Sequence, residues 1–305
     1  MRSWDRVAGW ASWLVASATV LTLACGGGGD GGVFLESVAF GNGTFVAVGE
    51  TNLTYVNSGP GWATFGAGVP SLNDVTYASA QGLFVAVGDG GAIVVSVDGT
   101  GWVQQLSPTG FNLHGVAAGA GTIIAVGDLG TVLSSTDGVT WTQQAIGTDV
   151  PLYGVGFGED ATFVAVGAGG AIVTSTDAGA TWTVQNGGIP TDLYAAAFGP
   201  PGWVLVGASG TIQFAATSAG PWQVAASGVL PNLNDVAFAQ GIYVVVGDEG
   251  NILTSPDGLN YGFRVSDTGQ YINGVDYGNG TFVAVATGGR VLSSIDAVVW
   301  QNGKI

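Results

Sequence analysis

Seven times, at intervals of roughly forty residues, the chain repeats one pattern of short apolar runs and tight turns. The third copy shows it whole: Leu113-His114-Gly115-Val116, then Ile124-Ala125-Val126-Gly127-Asp128-Leu129-Gly130, then Ser135-Thr136-Asp137-Gly138 closed by Trp141. The copies open at Leu35, Leu72, Leu113, Leu152, Leu193, Leu233 and Ile272. Each copy has room for four short strands and nothing at helical spacing. A unit this small cannot bury an apolar face alone, so the copies must pack on one another. The expected fold is all-β, a seven-bladed β-propeller of four-stranded antiparallel blades spanning residues 35–305.

Within the third copy the pattern predicts strands at Leu113–Ala118, Thr122–Gly127, Thr131–Ser135 and Trp141–Ala145, from the axis outward. The first connection carries Asn-Gly at Asn42-Gly43 and Asn279-Gly280, the pair favoured in a type I′ hairpin. The second strand is apolar on both faces, as in Phe84-Val85-Ala86-Val87 and Phe282-Val283-Ala284-Val285, which suits a strand sandwiched between neighbours. The glycine that usually ends it is expected to supply a positive φ in the next turn. Blade seven stops soon after Trp300, so its outer strand is expected to be short.

Residues 1–24 read as an export signal, with Arg2 and Arg6 ahead of an uncharged stretch that ends at Ala24-Cys25. A retained membrane-spanning helix needs about 20 apolar residues, and this stretch is shorter. The end resembles a bacterial lipoprotein signal, in which the cysteine becomes the lipidated first residue; here Thr22 stands where that pattern usually has Leu. Residues 25–34 then form the lipidated Cys25 and a Gly-rich tether. The chain has 21 acidic and 5 basic residues; without Asp5, Arg2 and Arg6 the exported part keeps 20 and 3, a net charge of −17. Such a surface repels nucleic acid and anionic headgroups, which leaves the lipid as the membrane contact. With Cys25 the sole cysteine, no disulfide can staple the fold.

The turn before the outer strand carries a family resemblance. Ser135-Thr136-Asp137-Gly138 with Trp141, and Ser175-Thr176-Asp177 with Trp182, resemble the Asp-box, or bacterial neuraminidase repeat. Looser copies place Asp98 with Trp102, Asp257 with Tyr261 and Asp296 with Trp300, while blades one and five carry degraded copies, Asn57 with Trp62 and Ser218 with Trp222. The expected role is structural: the Asp caps its own turn and the Trp fills the gap between blades. The repeat spacing and the Val-Ala-Val-Gly-Asp element also resemble the photosystem II stability and assembly factor family over residues 35–305. That likeness implies an exported, often lipid-anchored single propeller. Its basic patch has no counterpart in a chain with three basic residues.

Two functions follow as expectations. The first is a non-catalytic binding or scaffolding protein of the cell envelope, a monomer taking an envelope protein or a neutral glycan. The second is a glycan-active hydrolase, since Asp-boxes decorate sialidases and xyloglucan-active propellers. Sialidases resemble one another in three arginines that grip the substrate carboxylate, and only Arg264 and Arg290 follow the signal here. A generic glycosidase would rest on Asp74 and Asp235, which share a repeat position across the channel but have no evident neighbour to raise a pKa. One histidine and one cysteine, itself at the lipidation position, serve a metal or a nucleophile poorly, and no cofactor is expected. The second residue of each innermost strand should ring the channel mouth: Glu36, Asn73, His114, Tyr153, Tyr194, Asn234 and Asn273. Side chains this varied at one repeat position mark the candidate binding site.

Overall fold

The computed structural model describes residues 33–305 except 51, 58–60, 70, 159–160 and 186–187; the expected signal, Cys25 and most of the tether lie outside the described residues. Seven sheets, each of four antiparallel strands in chain order, form the ring. The innermost strands are Leu35–Gly41, Leu72–Ala78, Leu113–Gly119, Leu152–Phe157, Leu193–Gly199, Leu233–Ala239 and Ile272–Gly278. All seven begin on the expected residue, and each of those residues is 0 % exposed. Among the described residues the helices are three-residue 3-10 turns, and none is long and apolar enough to cross a membrane.

The core is divided among the seven gaps between blades. Between blades two and three, for example, Val85, Val87 and Ile93 meet Leu113, Ile123 and Leu133. The second strands are buried on both faces because each touches two neighbours, and the small residues at Ala47, Ala86 and Ala284 let the sheets close up. At the end of the innermost strand an aromatic residue lies on the first residues of the second strand. Phe40–Phe45, Tyr77–Phe84, Phe157–Phe163 and Phe238–Tyr243 are tilted pairs with centroids 4.6–4.9 Å apart. Asn42 and Gly43 have φ of 49° and 77°, and Asn279 and Gly280 repeat the values within two degrees, the backbone of the expected type I′ hairpins.

Three expectations are corrected. The glycine that ends the second strand has no positive φ: Gly127 is extended, at −169°, and so is Gly167. Its role is close approach, since a Cβ on Gly127 would overlap the Asn112 carbonyl oxygen beside the innermost strand of the same blade. The positive φ falls further on, at Leu129 (53°) and Gly130 (64°). The outer strand of blade three is Thr142–Gln143, not Trp141–Ala145, because Trp141 turns inward and the strand starts after it. The outer strand of blade seven, Gln301–Lys304, is in contrast as long as any. Blade seven is therefore complete from its own segment, and the ring closes by packing and hydrogen bonds rather than by strand exchange.

Candidate functional site

The Ser-x-Asp turns stand at the rim, away from the axis. Ser135 Oγ donates to Asp137 Oδ1 at 3.0 Å and accepts from the Gly138 N–H at 2.8 Å. Asp137 Oδ1 in turn accepts the N–H groups of Val139 and Thr140 at 2.8 and 2.7 Å. Those backbone bonds hold the Asp137 carboxyl down at about 2; a side-chain and a backbone bond from Thr181 hold Asp177 there as well. Trp141 Nε1 donates to the Gly138 carbonyl, and its ring fills the gap between blades two and three. Trp102, Trp182 and Trp300 plug the equivalent gaps. The same turn bonds form at Asp98, Asp257 and Asp296. Blades one and five, which lack the motif, still place Trp62 and Trp222 in their gaps.

The axial end of the ring carries a cavity of about 420 Å³ lined by all seven residues expected at the channel mouth. A second cavity, between blades seven and one at the outer edge near Trp62 and Gln301, has no comparable convergence of side chains from around the ring. In blades two to six the mouth residue is followed by a 3-10 turn, and what its side chain does goes with the first residue of that turn. Where the turn opens with Asp, the mouth residue bonds to it. Asn73 Nδ2 reaches Asp89 Oδ1 at 3.1 Å, His114 Nε2 lies 2.7 Å from Asp128 Oδ1, and Asn234 Nδ2 reaches Asp248 Oδ1 at 2.9 Å. Asn73, Asn234 and Asn273 also donate to the first carbonyl of the next blade, on Leu113, Ile272 and Leu35. These asparagines are inter-blade ties, and His114 is pinned to its own turn.

Where the turn opens with Ala, at Ala168 and Ala208, the mouth residue is Tyr153 or Tyr194. Neither ring is tied to its turn. Tyr194 lies 5.9 Å from Tyr153, which lies 5.8 Å from His114, so three aromatic rings form an arc over blades three to five. Partial burial, with the nearby Asp192 carboxylate adding to it, raises both phenols. Across the mouth, burial raises the Glu36 carboxyl, and the neighbouring Glu50 adds to the effect. The varied side chains at this position therefore divide into four that hold the scaffold and three, Glu36, Tyr153 and Tyr194, that it leaves free.

One residue deeper lie Asp74 and Asp235, whose carboxyls burial pushes up to about 6 and about 8. The expectation of no neighbour to raise them is corrected for Asp235, where the charges of Asp74 and Asp276 add to the main cause, enclosure in the channel wall; for Asp74 enclosure alone raises it. Both are bound into the wall. Asp74 accepts Ser37 Oγ at 2.6 Å, the Val75 N–H at 2.8 Å and the Val116 N–H of blade three at 2.7 Å. Asp235 accepts the Val236 N–H and the Val275 N–H of blade seven, both at 2.8 Å. Asp276, which sequence reasoning missed, does the same between blades seven and one and is also raised to about 6, chiefly by burial.

The fold and the axial site together define a seven-bladed β-propeller with an open, acidic and partly aromatic channel mouth. No family model matches the chain, and no curated protein matches it. Among solved structures it is similar to YCF48 bound to D1 peptide, at 17 % identity over 92 % of this chain and 94 % of that one, with a TM-score of 0.68. YCF48 from Cyanidioschyzon merolae is similar at 16 % identity, over 87 % and 96 % of the two chains, with a TM-score of 0.69. The computationally designed Ika8 protein is similar at 14 % identity, over 88 % and 86 %, with a TM-score of 0.66. At these identities the likeness is one of fold.

Proposed function

We propose that this chain is a non-catalytic binding propeller that captures a protein segment at its channel mouth, held at the cell envelope by lipid on Cys25. The observation that carries the reading is the unused aromatic pair. Tyr153 and Tyr194 stand where four other blades spend the same position on scaffold bonds, and they face an open cavity. Aromatic residues give strong contacts at low entropic cost. A propeller of the same fold has been solved with a peptide bound, which adds support to this ligand class.

The hydrolase reading keeps one point in its favour, a carboxyl at Asp235 raised to about 8, in the direction a general acid needs. Its weakness is that Asp74 and Asp235 already spend both carboxylate oxygens on the channel wall. Recovery of partners from the native envelope by wild type and by Tyr153→Ala/Tyr194→Ala tests the binding reading. Loss of a specific partner in the folded double variant supports it, and unchanged recovery moves the site off this face. Fractionation of Cys25→Ser tests the anchor, which requires the variant to leave the membrane fraction; acyl chains contribute about 0.8 kcal/mol per buried CH₂.

A further inference from the structure

We propose that the mouth takes a cationic side chain, a lysine or an arginine carried on a protein segment, between the Tyr153–Tyr194 arc and the carboxylates around it. The inference rests on the mouth being the binding site and names what that site selects. Neither lysine nor arginine lines the cavity, while the carboxylates of Glu36 and Asp248 do, with Asp74 and Asp235 bonded into the wall beneath them. Among the described residues the one contact of salt-bridge length between a basic and an acidic side chain is that of His114 with Asp128, so the other carboxylates of this face have no basic side chain paired with them. The whole described chain offers only Arg264, Arg290 and Lys304 against its acidic surface.

Charge alone would leave the choice of ligand open, but the aromatic wall narrows it. Two tilted tyrosine rings with an imidazole edge beyond them form one side of an aromatic cage, and ring faces attract a cation that has shed water. Both tyrosines also feel the negative field of Asp192. An anionic segment would meet the like charges of Glu36, Asp192 and Asp248, and a neutral one would leave their field uncompensated. The volume of about 420 Å³ admits a long side chain with room left for its neighbours, and the rest of the segment lies over the face. Tyr153 and Tyr194 then select by their ring faces, and Glu36 by its charge.

The test is fluorescence polarisation with labelled, end-blocked heptapeptides that differ only at a central Lys, Arg, Nε-acetyl-Lys or Glu. The Lys or Arg peptide should bind at least tenfold tighter than the acetylated one, and the Glu peptide should not bind. Tyr153→Ala/Tyr194→Ala should lose that preference, Tyr153→Phe/Tyr194→Phe should keep it within threefold, and Glu36→Gln should weaken binding severalfold. Equal affinity for Lys and acetyl-Lys, or no binding of either cationic peptide at millimolar concentration, overturns the inference. If an envelope partner is still lost in the double alanine variant, the mouth remains a binding site and only its cation preference falls. Free spermidine that binds more tightly than the peptides would make the ligand a small amine and overturn the protein source.

Discussion

The carboxylate of Asp276 in the last blade accepts the backbone N–H of Phe40 in the first at 2.6 Å. Together with the bond from Asn273 to the Leu35 carbonyl, this joins the two ends of a ring that has no exchanged strand. Removing the acceptor leaves a buried N–H without a partner, which costs about 1–3 kcal/mol. Asp276→Ala should lose that much in urea denaturation, and Asp276→Asn should lose less because its amide oxygen still accepts. A neutral Asp276→Ala variant would place the closing force elsewhere.

The same three inward carboxyls give the domain an unusual pH dependence. Asp74 and Asp276 sit near 6 and Asp235 near 8, all above the ordinary 3.8. The folded state therefore binds more protons than the unfolded one, and stability is lost as pH rises through about 6 and then about 8. The rim carboxyls Asp137 and Asp177, held near 2, act the other way, and their contribution is lost only as pH falls from about 4 toward 2. The urea midpoint should therefore fall between about pH 4 and pH 8, and Asp235→Asn should flatten the part above about pH 6, where the other two have already lost their protons. A flat profile over that range would contradict the burial of these groups.

Trp141 is 7 % exposed and fills the gap between blades two and three. Trp141→Ala should destabilise the domain by about 3–5 kcal/mol, the range for large buried aromatics. Asp137→Ala should cost less, because its bonds stay within one exposed turn. Chemical denaturation that found less than 1 kcal/mol for Trp141→Ala would remove the inter-blade wedge from the account.

Gly127 and Gly121 separate two uses of glycine. Gly121 has a φ of 78° with open space around it, whereas Gly127 is extended with the Asn112 carbonyl against it. Gly127→Ala should cost about 1–3 kcal/mol or more, through overpacking of backbone on backbone. A loss below 1 kcal/mol would return that glycine to a purely conformational role.

The fold was legible because its signal is local and periodic. Leu35, Leu72 and their counterparts open each copy, and burial requires an apolar residue there every time. The mouth ring was legible for the same reason, since strand register carries Glu36 to Asn273 to one end of the channel. What each mouth residue does was not legible as a list, because it depends on a partner fourteen to sixteen residues on. Asn73 with Asp89 and Asn234 with Asp248 could have been found by pairing the two positions blade by blade, as could Tyr153 with Ala168. Asp276 was missed because it lies two residues further along its strand than Asp74 and Asp235, out of register with the position being compared. Carboxyl pKa values were out of reach because enclosure by neighbouring blades is a property of the closed ring.

Where the partner sits is read directly by site-specific photo-crosslinking. A photoreactive phenylalanine analogue at position 194 in the mouth and another at position 184 on the exposed outer strand of blade four would be irradiated in the native envelope. Cross-linking of one partner from position 194 and none from position 184 is the predicted result. The same partner trapped from position 184 and not from 194 would place binding on the rim and contradict the account.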